Sequence, residues 1–157
     1  MAEDTVRIYT DGAARGNPGP GGYGVVMLYK GHRKELAAGF RLTTNNRMEL
    51  LAVIEGLKAL TRKNLKVKIY SDSKYVVDAV TKGWIWNWEV KKFKNKKNPD
   101  LWKRYIQLHH QFEIEFNWVK GHANIPENER CDQLAVEASL KSNLLIDDGY
   151  EKENPTL

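Results

Sequence analysis

The chain makes nearly the same four-residue statement twice: Ile8-Tyr9-Thr10-Asp11 and, sixty-one positions later, Ile69-Tyr70-Ser71-Asp72. Each copy closes a run that alternates apolar and polar residues: Val6, Ile8 and Thr10 in the first, Val67, Ile69 and Ser71 in the second. A period of two is the mark of a β-strand with one buried face, so each strand ends in a carboxylate on the face opposite its aliphatic residues. Helical sequence lies between the copies, which makes them parallel neighbours joined by a crossover. Ligands of open α/β sheets bind beyond the carboxyl ends of the strands, where Asp11 and Asp72 would lie side by side. An Asp at a strand end also caps the following turn. The shared register of the two copies favours a joint site over two separate caps.

The remaining elements follow from pattern. Gly12–Gly22 is dense in Gly and Pro and reads as a loop, with Gly where a side chain would block a close approach. Its formal G-x-G-x-x-G match at Gly19, Gly21 and Gly24 is rejected as a dinucleotide site, because a strand-like run follows where that motif needs a helix. Tyr23–Tyr29 and Arg33–Phe40 form a hairpin about Lys30-Gly31-His32. Asn46–Leu60 is helical, with Leu50, Ile54 and Leu57 at helical spacing, and Asn46 with Glu49 resembles a capping box. Further helices are read at Ser73–Thr81, from Trp84, at Asp100–His110 and from Pro126 to about Leu140, with a last strand at Glu113–Val119. On the final helix Asn128 and Asp132 share a face. Residues 1–142 read as one domain, and 143–157 as a loosely ordered polar tail.

Charge is unevenly spread. The net formal charge is +5, yet Lys82–Arg104 alone holds eight basic and two acidic residues, leaving the remainder close to neutral. Within it, Gly83-Trp84-Ile85-Trp86-Asn87-Trp88 precedes Lys91, Lys92, Lys94, Lys96 and Lys97. Interleaved aromatic and basic residues point to a polyanion, nucleic acid before an anionic membrane. The segment is read as a helix projecting from the body followed by a lysine loop, with at least one Trp in the core. No apolar run reaches the ~18 residues of a membrane span. The single cysteine, Cys131, forms no internal disulfide and no zinc-ligand spacing occurs, so a reducing, cytoplasmic setting is expected. The acidic Met1-Ala2-Glu3-Asp4 does not read as a secretory signal. Nothing in the sequence demands more than a monomer.

The stretches Tyr9–Gly12, Gly16–Gly24, Thr43–Leu50, Ser71–Ser73, Asp100–Trp102, Trp118–His122 and Glu127–Asp132 together resemble ribonuclease HI, the bacterial type 1 ribonuclease H. The resemblance implies an α/β fold with a five-stranded mixed sheet, strands one to three antiparallel, flanked by helices. It implies four metal-binding carboxylates, Asp11, Glu49, Asp72 and Asp132, and a mobile loop histidine at His122. It implies RNA-strand contacts from Gly12–Asn17, Asn45 and Asn46, and DNA-phosphate contacts from Thr44 and Asn128. The Trp84/lysine stretch resembles the family's substrate-binding protrusion, although it is several residues shorter and lacks a second Gly-Trp segment. The implied partner is an RNA–DNA hybrid, cut in its RNA strand to leave 5′-phosphate and 3′-hydroxyl ends without base-sequence specificity.

Clustered carboxylates are unfavourable alone: two charges about 4 Å apart repel by ~4 kcal/mol at an effective dielectric of ~20. Hard divalent cations relieve this, so the expected cofactor is Mg²⁺, two ions with substrate bound, with Mn²⁺ as an alternative ion. Asp11 is assigned to bridge the ions, Glu49 and Asp72 chiefly to the leaving-group ion, and Asp132 to the nucleophile ion. A related metal nuclease or recombinase acting on another nucleic acid, and a non-catalytic hybrid-binding module, are the competing readings. Thr43–Leu50 and Lys120–His122 speak against the first, and the presence of all four carboxylates against the second.

Overall fold

The computed structural model describes residues 4–121 and 124–155. Strands β1 (Thr5–Ala14), β2 (Gly19–Tyr29) and β3 (His32–Thr43) form an antiparallel meander. Helix α1 (Asn45–Lys58) crosses to β4 (Lys66–Ser71), which lies parallel to β1. Helices α2 (Lys74–Thr81), α3 (Trp84–Val90) and α4 (Pro99–His109) lead to β5 (Glu113–Trp118), parallel to β4. Helix α5 (Pro126–Ser139) and the short α6 (Asp148–Glu153) complete the chain. The strand order is β3-β2-β1-β4-β5, the five-stranded mixed sheet that the sequence implied.

Alternation along β1 sorts the molecule into three layers. Val6 and Ile8 face a large core with α1, α2, α3 and α4, built around Leu50, Ile54, Leu57, Trp102 and Tyr105. Fully burying each such aliphatic chain stabilises the fold by roughly 1.5–3 kcal/mol. Tyr9 faces the other way, into a small cluster with Val26 and Cys131 beneath α5. The β1–β4 register pairs Ile8 with Ile69 and Tyr9 with Tyr70.

Two sequence expectations are corrected here. The Gly- and Pro-rich stretch is largely strand: β1 continues to Ala14 and β2 begins at Gly19. Its glycines serve close packing. A Cβ on Gly22 would lie 2.5 Å from the Ala135 carbonyl oxygen, and one on Gly24 2.2 Å from that of Cys131. Gly39 of β3 meets the Ala138 oxygen in the same way, at 2.1 Å. Backbone therefore meets backbone along the seam between α5 and the sheet.

Residues 143–155 are not a loose tail. Leu145 exchanges backbone hydrogen bonds with Arg41 and Gly39 on β3, both at 2.9 Å. Asp147 is buried, accepts from Thr43 Oγ1 at 2.7 Å, and pairs with Arg47 Nε at 2.7 Å. Arg47, itself only 3% exposed, also donates both terminal nitrogens to Asp100, at 2.9 and 2.7 Å. A buried guanidinium needs such partners, because stranding it away from water costs several kcal/mol.

Candidate active site

The site is assembled from strand ends and two helices. β1 carries Asp11 to the sheet edge, and the 61-residue offset of the β1–β4 pairing puts Asp72, just beyond β4, beside it. Gly12 lets β1 run against the backbone of α1, since a Cβ there would sit 2.4 Å from the Met48 carbonyl carbon. That contact delivers Glu49 to Asp11. The N-cap of α1 is Thr44, whose Oγ1 accepts from Arg47 N at 3.2 Å, so the Asn46/Glu49 capping box does not form and Glu49 points elsewhere. Asp11, Glu49 and Asp72 each offer an oxygen within 4.8 Å of the others. Asp132, from α5 on the opposite face, lines the same cleft of about 400 Å³ without joining that trio.

The electrostatics are those of crowded acids. Burial, then the charge of Asp72, pushes the Asp11 carboxyl up to about 7, even though Gly12 N donates to it at 2.9 Å. Burial, followed by Asp11 and Asp72, holds Glu49 well above the usual carboxylate range. Glu49 Oε1 and Asp72 Oδ1 are buried with no hydrogen-bond partner among the described residues. Unpaired buried oxygens are costly unless something satisfies them. Hard carboxylate donors, mutually repelling and with lone pairs unfilled, fit a divalent cation that takes oxygen ligands.

Asn45 lines the cleft beside Glu49. Its Oδ1 accepts from Ala14 N at 2.6 Å and its backbone N–H donates to Asn17 Oδ1 at 3.0 Å, tying the β1–β2 turn to the start of α1. Asn128 sits in the cleft one turn before Asp132, its Oδ1 buried and without a hydrogen-bond partner among the described residues. Thr44, Asn46 and Asn17 line a neighbouring cavity together with Lys96 and Lys97. Trp84 lies apart at the start of α3, 44% exposed, with the Lys82 ammonium 5.4 Å from its ring centre. Lys91, Lys92, Lys94, Lys96 and Lys97 are all exposed. The basic loop does not simply project. Phe93 in its middle is buried in the main core, and Lys96 lies over Trp88 at 5.2 Å. Trp102 supplies the expected core tryptophan. His122 falls outside the described residues.

Two features escaped the sequence reading. Trp118 Nε1 donates to the Asp72 carbonyl at 3.2 Å, steadying the turn that bears that carboxylate. The Arg47 clamp fixes the N-terminus of α1, and its only local signal was an arginine at a position on α1 that the helical period buries.

Strand order and acids gathered at one sheet edge define the ribonuclease H-like fold class. The family model for RNase H matches residues 3–140. The chain is 61% identical over 147 residues to a ribonuclease H of Desulforamulus reducens, covering 90% of this chain and 92% of the relative. It is 46% identical over 155 residues to the ribonuclease HI of a Synechocystis species, covering 95% and 96%. Among solved structures it resembles LC9-RNase H1, a type 1 RNase H with the type 2 active-site motif: TM-score 0.78, 32% identity, covering 100% of this chain and 83% of that one. It also resembles LC11-RNase H1, solved in complex with RNA/DNA hybrid: TM-score 0.64, 28% identity, covering 85% and 95%. The chain belongs to the RNase H family.

Proposed function

We propose that this protein is an endonuclease that hydrolyses the RNA strand of RNA–DNA hybrids with two Mg²⁺ ions bound alongside substrate, leaving 5′-phosphate and 3′-hydroxyl ends. Mn²⁺ is a workable substitute. The observation that carries the reading is the Asp11–Glu49–Asp72 trio at the sheet edge of an RNase H-family chain.

Asp11, Glu49, Asp72 and Asp132 would hold the ions, Asp11 serving both, Glu49 and Asp72 chiefly the one that would stabilise the leaving group, and Asp132 the one that would activate the attacking water. Bound ions supply charge neutralisation, an activated water and stabilisation of the leaving 3′ oxygen. His122 shuttles a proton at its imidazole or assists product departure. Trp118 keeps Asp72 aimed into the cleft through its backbone carbonyl. The RNA strand is told from DNA by its 2′-hydroxyl, which Gly12, Asn17, Asn45, Asn46 and Glu49 approach. Thr44, Asn128, Trp84 and the exposed lysines read the backbone of the other strand. No element of the sequence resembles a major-groove reading helix, so base sequence is not read. The protein acts as a monomer in the cytoplasm.

The test is cleavage of end-labelled RNA–DNA hybrid, RNA duplex and DNA duplex, each with Mg²⁺ and with chelator. Cuts confined to the RNA of the hybrid and dependent on Mg²⁺ are expected. Equal cutting of a DNA duplex would replace this reading with a general nuclease.

A further inference from the structure

Beside the carboxylate cleft lies a second, larger cavity of about 500 Å³ that shares no lining residue with it. Asn45 lines the cleft, while its neighbours Thr44 and Asn46 line this cavity. Lys96 and Lys97 stand on one side. Tyr150, Glu153 and Asn154, from α6 and its end, stand on another. Helix α6 is fastened at its start to Arg47 and along its side to Arg41 of β3. Asp147 caps it by accepting from Tyr150 N at 3.3 Å while held by Arg47, and Glu151 is gripped by a two-pronged Arg41 contact at 2.9 and 2.8 Å. Tyr150, Glu153 and Asn154 are thus held against open space.

The chemistry of the cavity is that of a donor-rich trough. Carboxamides, a threonine and two ammonium groups line it, and the lining Asp100 is held by Arg47, whose charge it shares with Asp147. Glu153 is exposed and makes no ion pair among the described residues. Such a trough accepts a chain of phosphates and sugars, whose oxygens are acceptors, better than an apolar small molecule. We propose that α6 forms the outer wall of the groove that takes the sugar–phosphate backbone of the strand read by Thr44 and the lysines, with Glu153 facing the phosphates and holding affinity down by repulsion. This rests on the hybrid-cleaving function proposed above and extends the substrate surface beyond the family-matched residues 3–140.

The experiment compares Glu153→Lys with Asp4→Lys, which makes the same charge change at an exposed position at the start of β1. Binding of a fixed hybrid is titrated in chelator at several salt concentrations, so that cleavage does not intervene. Glu153→Lys should tighten binding about threefold or more at moderate salt and steepen the slope of log K against log salt by roughly 0.9, one phosphate contact. Asp4→Lys should change neither. Glu153→Lys behaving like Asp4→Lys, in a wild-type background that cleaves hybrid, overturns the α6 wall alone. A wild-type protein that neither binds nor cleaves hybrid overturns the functional reading as well.

Discussion

Tyr9 and Tyr70 stack across β1 and β4 with ring centroids 4.6 Å apart and planes 12° from parallel. They stand one alternation before Asp11 and Asp72, on the same face of the sheet. A one-residue slip between these strands would send every side chain to the other face, and the stacked rings oppose it. The aromatic pair therefore holds in register two carboxylates that repel one another.

Asp11→Asn removes the most central of the charges. Cleavage should disappear while hybrid binding persists, because the basic surface is untouched. The folded-state value of about 7 lies above the ordinary 3.8. The unfolded chain thus releases its proton first, and metal-free stability falls as pH rises from ~4 to ~7, then levels off. The variant lacks this penalty. In chelator at pH 8 it should be more stable than wild type by ~1–3 kcal/mol, with the difference vanishing near pH 4. Thermal melts at the two pH values, beside a turnover assay, check both halves; near-normal turnover would remove Asp11 from the metal set.

His122→Ala should slow turnover without abolishing it, since the four carboxylates remain. Loss as complete as in Asp11→Asn would show that His122 does more than move a proton or release product. Single-turnover and steady-state rates separate the two roles, because impaired release lowers only the second.

The five-lysine variant, with Lys91, Lys92, Lys94, Lys96 and Lys97 all changed to Ala, should bind hybrid with a flatter salt dependence. At roughly 0.9 per phosphate contact the slope changes by up to about 4, KM rises at moderate salt, and kcat at saturation changes little. Lys96 and Lys97 line the cavity beside α1, so they should carry more of the effect than the other three. An unchanged slope would reduce the cluster to a solvated loop.

Asp147→Asn tests the clamp on the C-terminal segment. It leaves the buried Arg47 with Asp100 as its one carboxylate partner among the described residues, beside the Asn98 amide oxygen, and stability should fall by roughly 2–3 kcal/mol, below the usual range for breaking a buried pair because one charged partner remains. Denaturant unfolding gives the magnitude. Faster proteolytic trimming behind residue 142 would locate the loss in α6. A change under ~0.5 kcal/mol, the size of an ordinary surface substitution, would mean that Asp147 is not what holds the segment down.

What the sequence disclosed was whatever has a short period. Val6, Ile8 and Thr10 alternate, Leu50, Ile54 and Leu57 recur, and both faces of the sheet and the meeting of Asp11 with Asp72 followed from that. What it hid depends on partners far along the chain. Gly12–Gly22 looked like a loop because Gly and Pro disfavour strands locally, whereas pairing with β1 and the approach of α5 outweigh that preference. Asp147 gave no sign of its pairing with Arg47, a hundred residues away. Phe93, among lysines, has no periodic neighbours to mark it as a core residue.

The glycine seam at Gly22, Gly24 and Gly39 has a bearing on how this fold can vary. With carbonyl oxygens already where side chains would begin, α5 is seated as low on the sheet as a polypeptide allows. Asp132 rides on that helix, so its standoff from Asp11 is a dimension set by the seam, where Gly24 pairs with Asp11 across β1 and β2 and meets the Cys131 carbonyl beside Asp132. A single methyl group in the seam would lift the helix and widen the mouth of the cleft. Mutations that tune the cleft's width should therefore be sought in the seam, at positions that touch neither metal nor nucleic acid.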